Sequence, residues 1–125
     1  MAHDWSVLER DLRRCLPPRA IVAKRQELLS YDCDGLTLER HCPPLAVLPE
    51  TTEQVAKVLQ CCHQHGVPFV ARGSGTGLSG GALVDQQALL VVTSRMRRVL
   101  DLDLANQRVT VQPGVIHGWV TRAVA

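Results

Sequence analysis

Aromatic rings are nearly missing from this chain: Trp5, Tyr31, Phe69 and Trp119 are the full set. So few rings exclude a stacking platform for single-stranded nucleic acid. Charge of one sign is missing as well, because 14 Lys and Arg stand against 12 Asp and Glu for a net charge of +2. Nothing in that balance calls for nucleic acid or an acidic membrane as partner. No apolar run approaches the roughly 20 residues that cross a bilayer. The opening stretch, MAHDWSVLERDL, lacks a basic segment leading into an apolar one, so no leader peptide is read there. A cytoplasmic chain without a transmembrane segment is expected. The five cysteines are odd in number, with Cys61 and Cys62 adjacent, and are read as reduced thiols rather than a disulfide framework.

What is present is ordinary in bulk and concentrated in one place. At 125 residues, 46% hydrophobic and 21% charged, the chain suits one small soluble domain, which would bury about two thirds of its unfolded surface if complete. Residues 72–81 read RGSGTGLSGG, with five glycines, two serines and a threonine directly after the apolar run 67–71. Glycines at the end of a strand let backbone N–H groups converge on an anion, because no β-carbon blocks the approach. A phosphate is the simplest guest.

Three templates separate by the residues that come after the glycines. A P-loop needs a Lys and then Ser or Thr at its close, and no Lys is there. Gly75, Gly77 and Gly80 satisfy the dinucleotide pattern G-x-G-x-x-G literally, but that motif needs a crossover helix, and the next apolar run at 88–92 begins too soon. Asp101 and Asp103 lie where a ribose-binding acid would be sought, yet fall in a third strand-like run and are read as a decoy. A loop that wraps a diphosphate with its own amides remains.

Along the chain, Trp5, Leu8, Leu12 and Cys15 share one face of a helix over 4–16, which Pro17 and Pro18 end. A weaker helix is expected over 19–29, then a turn-rich stretch around Asp34 and Gly35. Residues 45–71 read as strand, helix, strand: Thr51 and Gln54 form a capping box, Val55, Val58, Leu59 and Cys62 recur at helical spacing, and Gly66 closes the helix. That is a right-handed βαβ crossover delivering Arg72 and the glycines to the carboxyl edge of a sheet. Residues 88–92 form a buried strand. Two alternating runs, 99–104 and 108–112, form a hairpin, and 116–125 begins a helix whose buried face would be Ile116, Val120, Ala123 and Val124.

The ordered set YDCDG, VLPETTEQV, GVPFVARGSGTGLSGGALV and VQPGV resembles the FAD-linked oxidases of the vanillyl-alcohol oxidase type, most closely their glycolate oxidase branch. The resemblance implies an α+β fold: the N-terminal part of a PCMH-type FAD-binding domain, with a small parallel βαβ unit and the start of a largely antiparallel second sheet. Residues 1–30 would be an N-terminal helical segment and 31–125 a partial FAD-binding domain truncated at its C-terminus.

The same resemblance implies the site. Amides of Gly73, Ser74, Gly75, Thr76 and Gly77 would hold the FAD pyrophosphate, with hydroxyls from Ser74, Thr76 and Ser79. Gly80 would belong to the same cradle, and Pro113 and Gly114 would line the cofactor cleft. Arg72 would either offset phosphate charge or sit in a structural salt bridge. Thr76 stands where some relatives tether flavin through a histidine, so non-covalent FAD is expected. The family reaction oxidises a small 2-hydroxy acid to a 2-oxo acid, with catalytic and metal-binding histidines in later segments that no residue here matches. The chain alone is therefore expected to be inactive. An iron–sulfur electron-transfer subunit is the implied partner, with peripheral attachment at the inner membrane through partner subunits. The alternative is a non-catalytic fragment or a small nucleotide- or anion-binding module.

Other clusters have blander readings. On a helix only Cys61 and His65 share a face, so His41, Cys42, Cys61, Cys62, His63 and His65 are read as core thiols and surface histidines, with no metal. SRMRR at 94–98 is a solvated corner or partner contact. His117 is a solvent-facing helix residue with a polar contact to the cleft as the alternative.

Overall fold

A computed structural model describes residues 3–125. Helix α1 spans Trp5–Cys15, and the Asp4 carboxylate caps it by accepting from the Ser6 and Val7 amides. Leu8, Leu12 and Leu16 recur on its inner face and are buried. The helix expected over 19–29 is broken. After a 3-10 turn over Pro18–Ala20 comes strand β1, Ile21–Val22, which pairs antiparallel with β2, Ala46–Val47, and the α-helical part is only α2, Arg25–Leu28, followed by a 3-10 turn over Leu29–Tyr31. Pairing with a sheet edge prevails over weak helical periodicity here because Ile21, a β-branched residue, becomes part of the core.

Helix α3, Thr52–His65, follows the expected signals closely. Thr51 Oγ1 accepts from the Gln54 amide at 3.1 Å, while Gln54 Oε1 reaches back to the Glu50 amide at 2.8 Å, one residue earlier than a capping box places it. Gly66 ends the helix at φ +63°, with its own amide bonded to the His63 carbonyl and that of Val67 to the Cys62 carbonyl, the paired bonds of a Schellman close. Replacing Thr51 by Ala would cost about 1 kcal/mol.

Strand β3, Phe69–Arg72, and strand β4, Leu89–Val92, complete a sheet ordered β1-β2-β4-β3, in which β2, β4 and β3 run parallel. Strand β4 is inserted between the two strands of the βαβ unit, and all four of its residues are buried, as a central strand covered on both faces requires. Leu89 and Val91 face α1 and α3 with Leu8, Leu12, Val47, Val58 and Cys62. Leu90 and Val92 face the other layer with Leu28, Leu48, Val84 and the partly buried Tyr31. Arg72 is paired in register with Val92, so its side chain is carried to this second face.

Strands β5, Val99–Asp103, and β6, Arg108–Val111, form a separate antiparallel hairpin with a register shift between Val99 and Asp101. Asp103 anchors its turn by accepting from the Asn106 amide at 3.1 Å and side chain at 2.8 Å, which holds the carboxyl below its ordinary value. This local role accounts for an acid that spacing alone made look like a ribose ligand. Helix α4, His117–Val124, ends the chain. Its expected inner face is not buried: Ile116 is 51% and Val124 48% exposed, because no described element packs over it. No helix is long and apolar enough to cross a membrane among the described residues.

Candidate functional site

The parallel strands end at one edge, and the site is built from what leaves them. The glycine loop leaves β3 at Arg72, while Thr93 comes directly after β4. Thr93 is the joint between the two halves: its amide donates to the Arg72 carbonyl at 2.8 Å, and its Oγ1 to the same carbonyl at 3.3 Å. On its other side lies Gly114, whose amide donates to the Met96 carbonyl at 2.8 Å. A β-carbon on Gly114 would collide with the Thr93 carbonyl oxygen and lie 2.8 Å from that of Met96. Backbone thus packs directly on backbone, and the turn containing Pro113 is held facing the glycine loop.

A cleft of about 450 Å³ results, lined by Gly73, Ser74, Thr76, Pro113, Gly114, Val115, Ile116 and His117. Five of the ten residues expected at the site therefore meet across one opening, 40 positions apart in sequence from Gly73 to Pro113. β-Carbons built on Gly73 and Gly77 meet nothing within 4 Å, so a ligand can approach the backbone there. Ser79 and Gly80 line a separate hollow of about 290 Å³ with Asp34, Leu36, Leu38 and Leu83. Another hollow, about 550 Å³, lies beside α1 and β1 and includes no residue of the loop.

Arg72 is buried beneath the loop, 9% exposed. Its Nη1 donates to the carbonyls of Tyr31 at 3.2 Å and Cys33 at 3.1 Å, and its guanidinium carbon lies 5.4 Å from the Tyr31 ring centroid. No carboxylate pairs with it among the described residues, so the salt-bridge alternative is not what the fold uses. Arg72 Nε is buried with no hydrogen-bond partner. Gly75 sits over this group at φ +72°, and a β-carbon there would collide with the guanidinium. An uncompensated buried cation under a loop of open amides suits a diphosphate, and the residues present fit the flavin dinucleotide on that chemistry.

Sequence reasoning places Asp34 and Gly35 in a turn and gives them no part in the site. The Gly35 amide donates to the Gly77 carbonyl at 2.9 Å, and the Gly80 amide to Asp34 Oδ2 at 3.0 Å. Asp-Gly reads as a turn from sequence, and the burial of its carboxylate against a segment 46 positions away carries no local signal.

The thiol and histidine cluster stays outside the site. Burial pushes the Cys62 thiol up to about 11, and burial together with the neighbouring Cys15 pushes Cys61 up to about 11. His65 Nε2 pairs with Asp11 Oδ2 at 2.8 Å, linking α3 to α1. No group of three or more His, Cys, Asp or Glu could hold a metal ion among the described residues. Arg95 of the basic corner donates to the Arg19 carbonyl at 2.7 Å, and Met96 is buried.

A loop of glycine amides at the carboxyl edge of a parallel sheet thus faces a Pro-Gly turn across one cleft, and the family follows from comparison. The model of the FAD binding domain matches residues 43–125, and the chain belongs to that family. It is 44% identical over 114 residues to the glycolate oxidase subunit GlcD of Escherichia coli (strain K12), covering 91% of this chain and 23% of that subunit. It is 33% identical over 78 residues to the mitochondrial D-lactate dehydrogenase [cytochrome] of Arabidopsis thaliana, covering 62% of this chain and 13% of that enzyme. The crystal structure of p-cresol methylhydroxylase with substrate bound superposes with a TM-score of 0.84 at 22% identity, covering 96% of this chain and 24% of that one. The architecture is the α+β PCMH-type FAD-binding fold. The chain spans less than a quarter of the length of the GlcD subunit it matches.

Proposed function

We propose that this chain is the FAD-binding portion of a flavin-dependent dehydrogenase that oxidises a 2-hydroxy acid to a 2-oxo acid, of the glycolate oxidase or D-lactate dehydrogenase kind. The observation that carries the reading is the cleft that brings Gly73, Ser74 and Thr76 opposite Pro113 and Gly114. Its 44% identity to a glycolate oxidase subunit supports the substrate class.

In this reading the amides of residues 73–77 hold the diphosphate, Ser74 and Thr76 add hydroxyl donors, and Arg72 offsets the charge from below. Bound flavin supplies the hydride acceptor for the α-carbon of the hydroxy acid. Thr76 has no nucleophilic ring nitrogen, which supports non-covalent binding. His117 lines the same cleft and offers a polar contact to the cofactor. Substrate contacts and proton transfer fall to further segments of a complete enzyme, and an iron–sulfur protein is the proposed electron acceptor. The proposed location is cytoplasmic, with membrane attachment through partner subunits.

The test is a chimera in which this chain replaces the matching segment of the Escherichia coli subunit. A yellow protein that releases its flavin on acid precipitation and reduces a dye with glycolate or D-lactate is expected. A folded chimera without flavin sinks the reading.

A further inference from the structure

We propose that Asp34 is a positioning residue for the glycine loop, and that residues 31–36 form a strap that fixes the loop in its binding shape before ligand arrives. The proposal rests on the FAD reading for the identity of the ligand, but not for the existence of the clamp.

A loop rich in glycine loses more conformational freedom on ordering than any other, so its binding contribution depends on what orders it beforehand. Here four hydrogen bonds come from one segment. Arg72, at the start of the loop, is tied to the Tyr31 and Cys33 carbonyls. Gly77, in its middle, is tied to the Gly35 amide, and Gly80, near its end, to Asp34 Oδ2. The other carboxylate oxygen, Oδ1, accepts from the Leu36 amide at 3.0 Å, which orients the Asp34 side chain within its own strap. Asp34 is 7% exposed, so both bonds are made away from bulk water. A charged acceptor with two backbone donors in such a place is among the stronger links a small domain can make.

The strap also touches the loop without any side chain between them: a β-carbon on Gly35 would collide with the Thr76 carbonyl oxygen. One consequence divides the loop. The Gly80 amide is spent on Asp34 and is not free to hold a ligand oxygen, whereas Gly73, Ser74 and Thr76 face the cleft. Residues 73–77 are therefore the binding half and 78–81 the anchoring half, which moves Gly80 from the cofactor cradle to its support.

The decisive measurement is amide hydrogen exchange on the ligand-free 125-residue chain. The Gly80 and Gly35 amides should be protected. In Asp34→Asn, which retains a single acceptor oxygen, Gly80 exchange should rise about tenfold or more while the β4 amides stay unchanged. In the chimera the same substitution should weaken FAD binding at least about tenfold, because the loop must then be ordered by the ligand. Gly35→Ala, which leaves Asp34 intact but displaces Thr76, should weaken FAD as well. An unprotected Gly80 amide in the parent chain, or exchange and FAD affinity both unmoved by Asp34→Asn, overturns the proposal. Loss of β4 protection in both variants overturns it too, in favour of a fold-wide role. A parent chimera that holds no flavin sinks the proposed function alone, and Gly80 exchange still decides the clamp.

Discussion

Gly114 backs directly onto Thr93, so closely that a β-carbon at Gly114 would overlap the Thr93 carbonyl oxygen. The same threonine is bonded to the Arg72 carbonyl, so this one approach sets the spacing between the two walls of the cleft. Gly114→Ala should destabilise the chain by about 1–3 kcal/mol, the usual cost of forcing an extra carbon into a packed site. Gly118→Ala is the control, since nothing lies within 4 Å of a β-carbon there and the residue is helical in α4. It should be neutral or stabilising by up to about 1 kcal/mol. Urea denaturation of both variants checks the contrast, and equal destabilisation would remove the close-approach argument.

Two glycines of the loop should fail for different reasons. Gly75 has φ +72° and the Arg72 guanidinium against it, so Gly75→Val should destabilise the free chain by at least about 1–2 kcal/mol, the cost of the left-handed conformation for a side chain with a β-carbon. Gly77 has open space and no positive φ, so Gly77→Val should leave the free chain's stability unchanged. Both should abolish flavin retention in the chimera, the second purely by blocking approach. Thermal unfolding together with the flavin-to-protein ratio separates the two effects, and a Gly77→Val chimera that stays yellow would contradict the cradle.

Alkaline pH should weaken the fold through its thiols. Cys61 and Cys62 are raised from an ordinary value of 9.0 to about 11, Cys62 by burial and Cys61 by burial and then by Cys15. The unfolded chain releases those protons first, so the stabilisation they provide is fully present below about 9 and is lost as pH rises towards about 11. The transition midpoint should therefore fall across that window, and Cys62→Ser or Cys61→Ser should flatten the fall. Labelling by a thiol reagent at pH 8 should be slow at both positions, because the thiolate is the reactive form.

Self-association should accompany the exposed apolar surface of the hairpin and α4. Leu100 is 54% exposed, Leu104 70%, Ile116 51% and Val124 48%. Exposed apolar groups and open strand edges favour association over the monomer. Light scattering of the chain should rise with concentration, and Leu100→Lys with Leu104→Lys should suppress it without lowering the unfolding midpoint. A parent chain monodisperse at all concentrations would refute the expectation.

Local chemistry makes most elements readable. Thr51 with Gln54 at the start of α3 and Gly66 at its end each act within a few residues. The helical reading of 19–29 fails because Ile21 and Val22 answer to partners 26 and 24 positions away, Val47 and Ala46, rather than to their own neighbours.

By itself the sequence determined that residues 72–81 form a glycine-rich loop at the end of a strand, because glycine clusters and strand periodicity are local properties, while the expected place of Pro113 and Gly114 beside it came from the family resemblance. Only the tertiary structure decided which loop amides are open. That depends on Asp34, Gly35 and Thr93, which reach the loop and the Pro-Gly turn through contacts to backbone groups between segments distant in sequence. Such contacts leave no periodicity and no composition to read, since one partner in each is a carbonyl or amide that any residue carries.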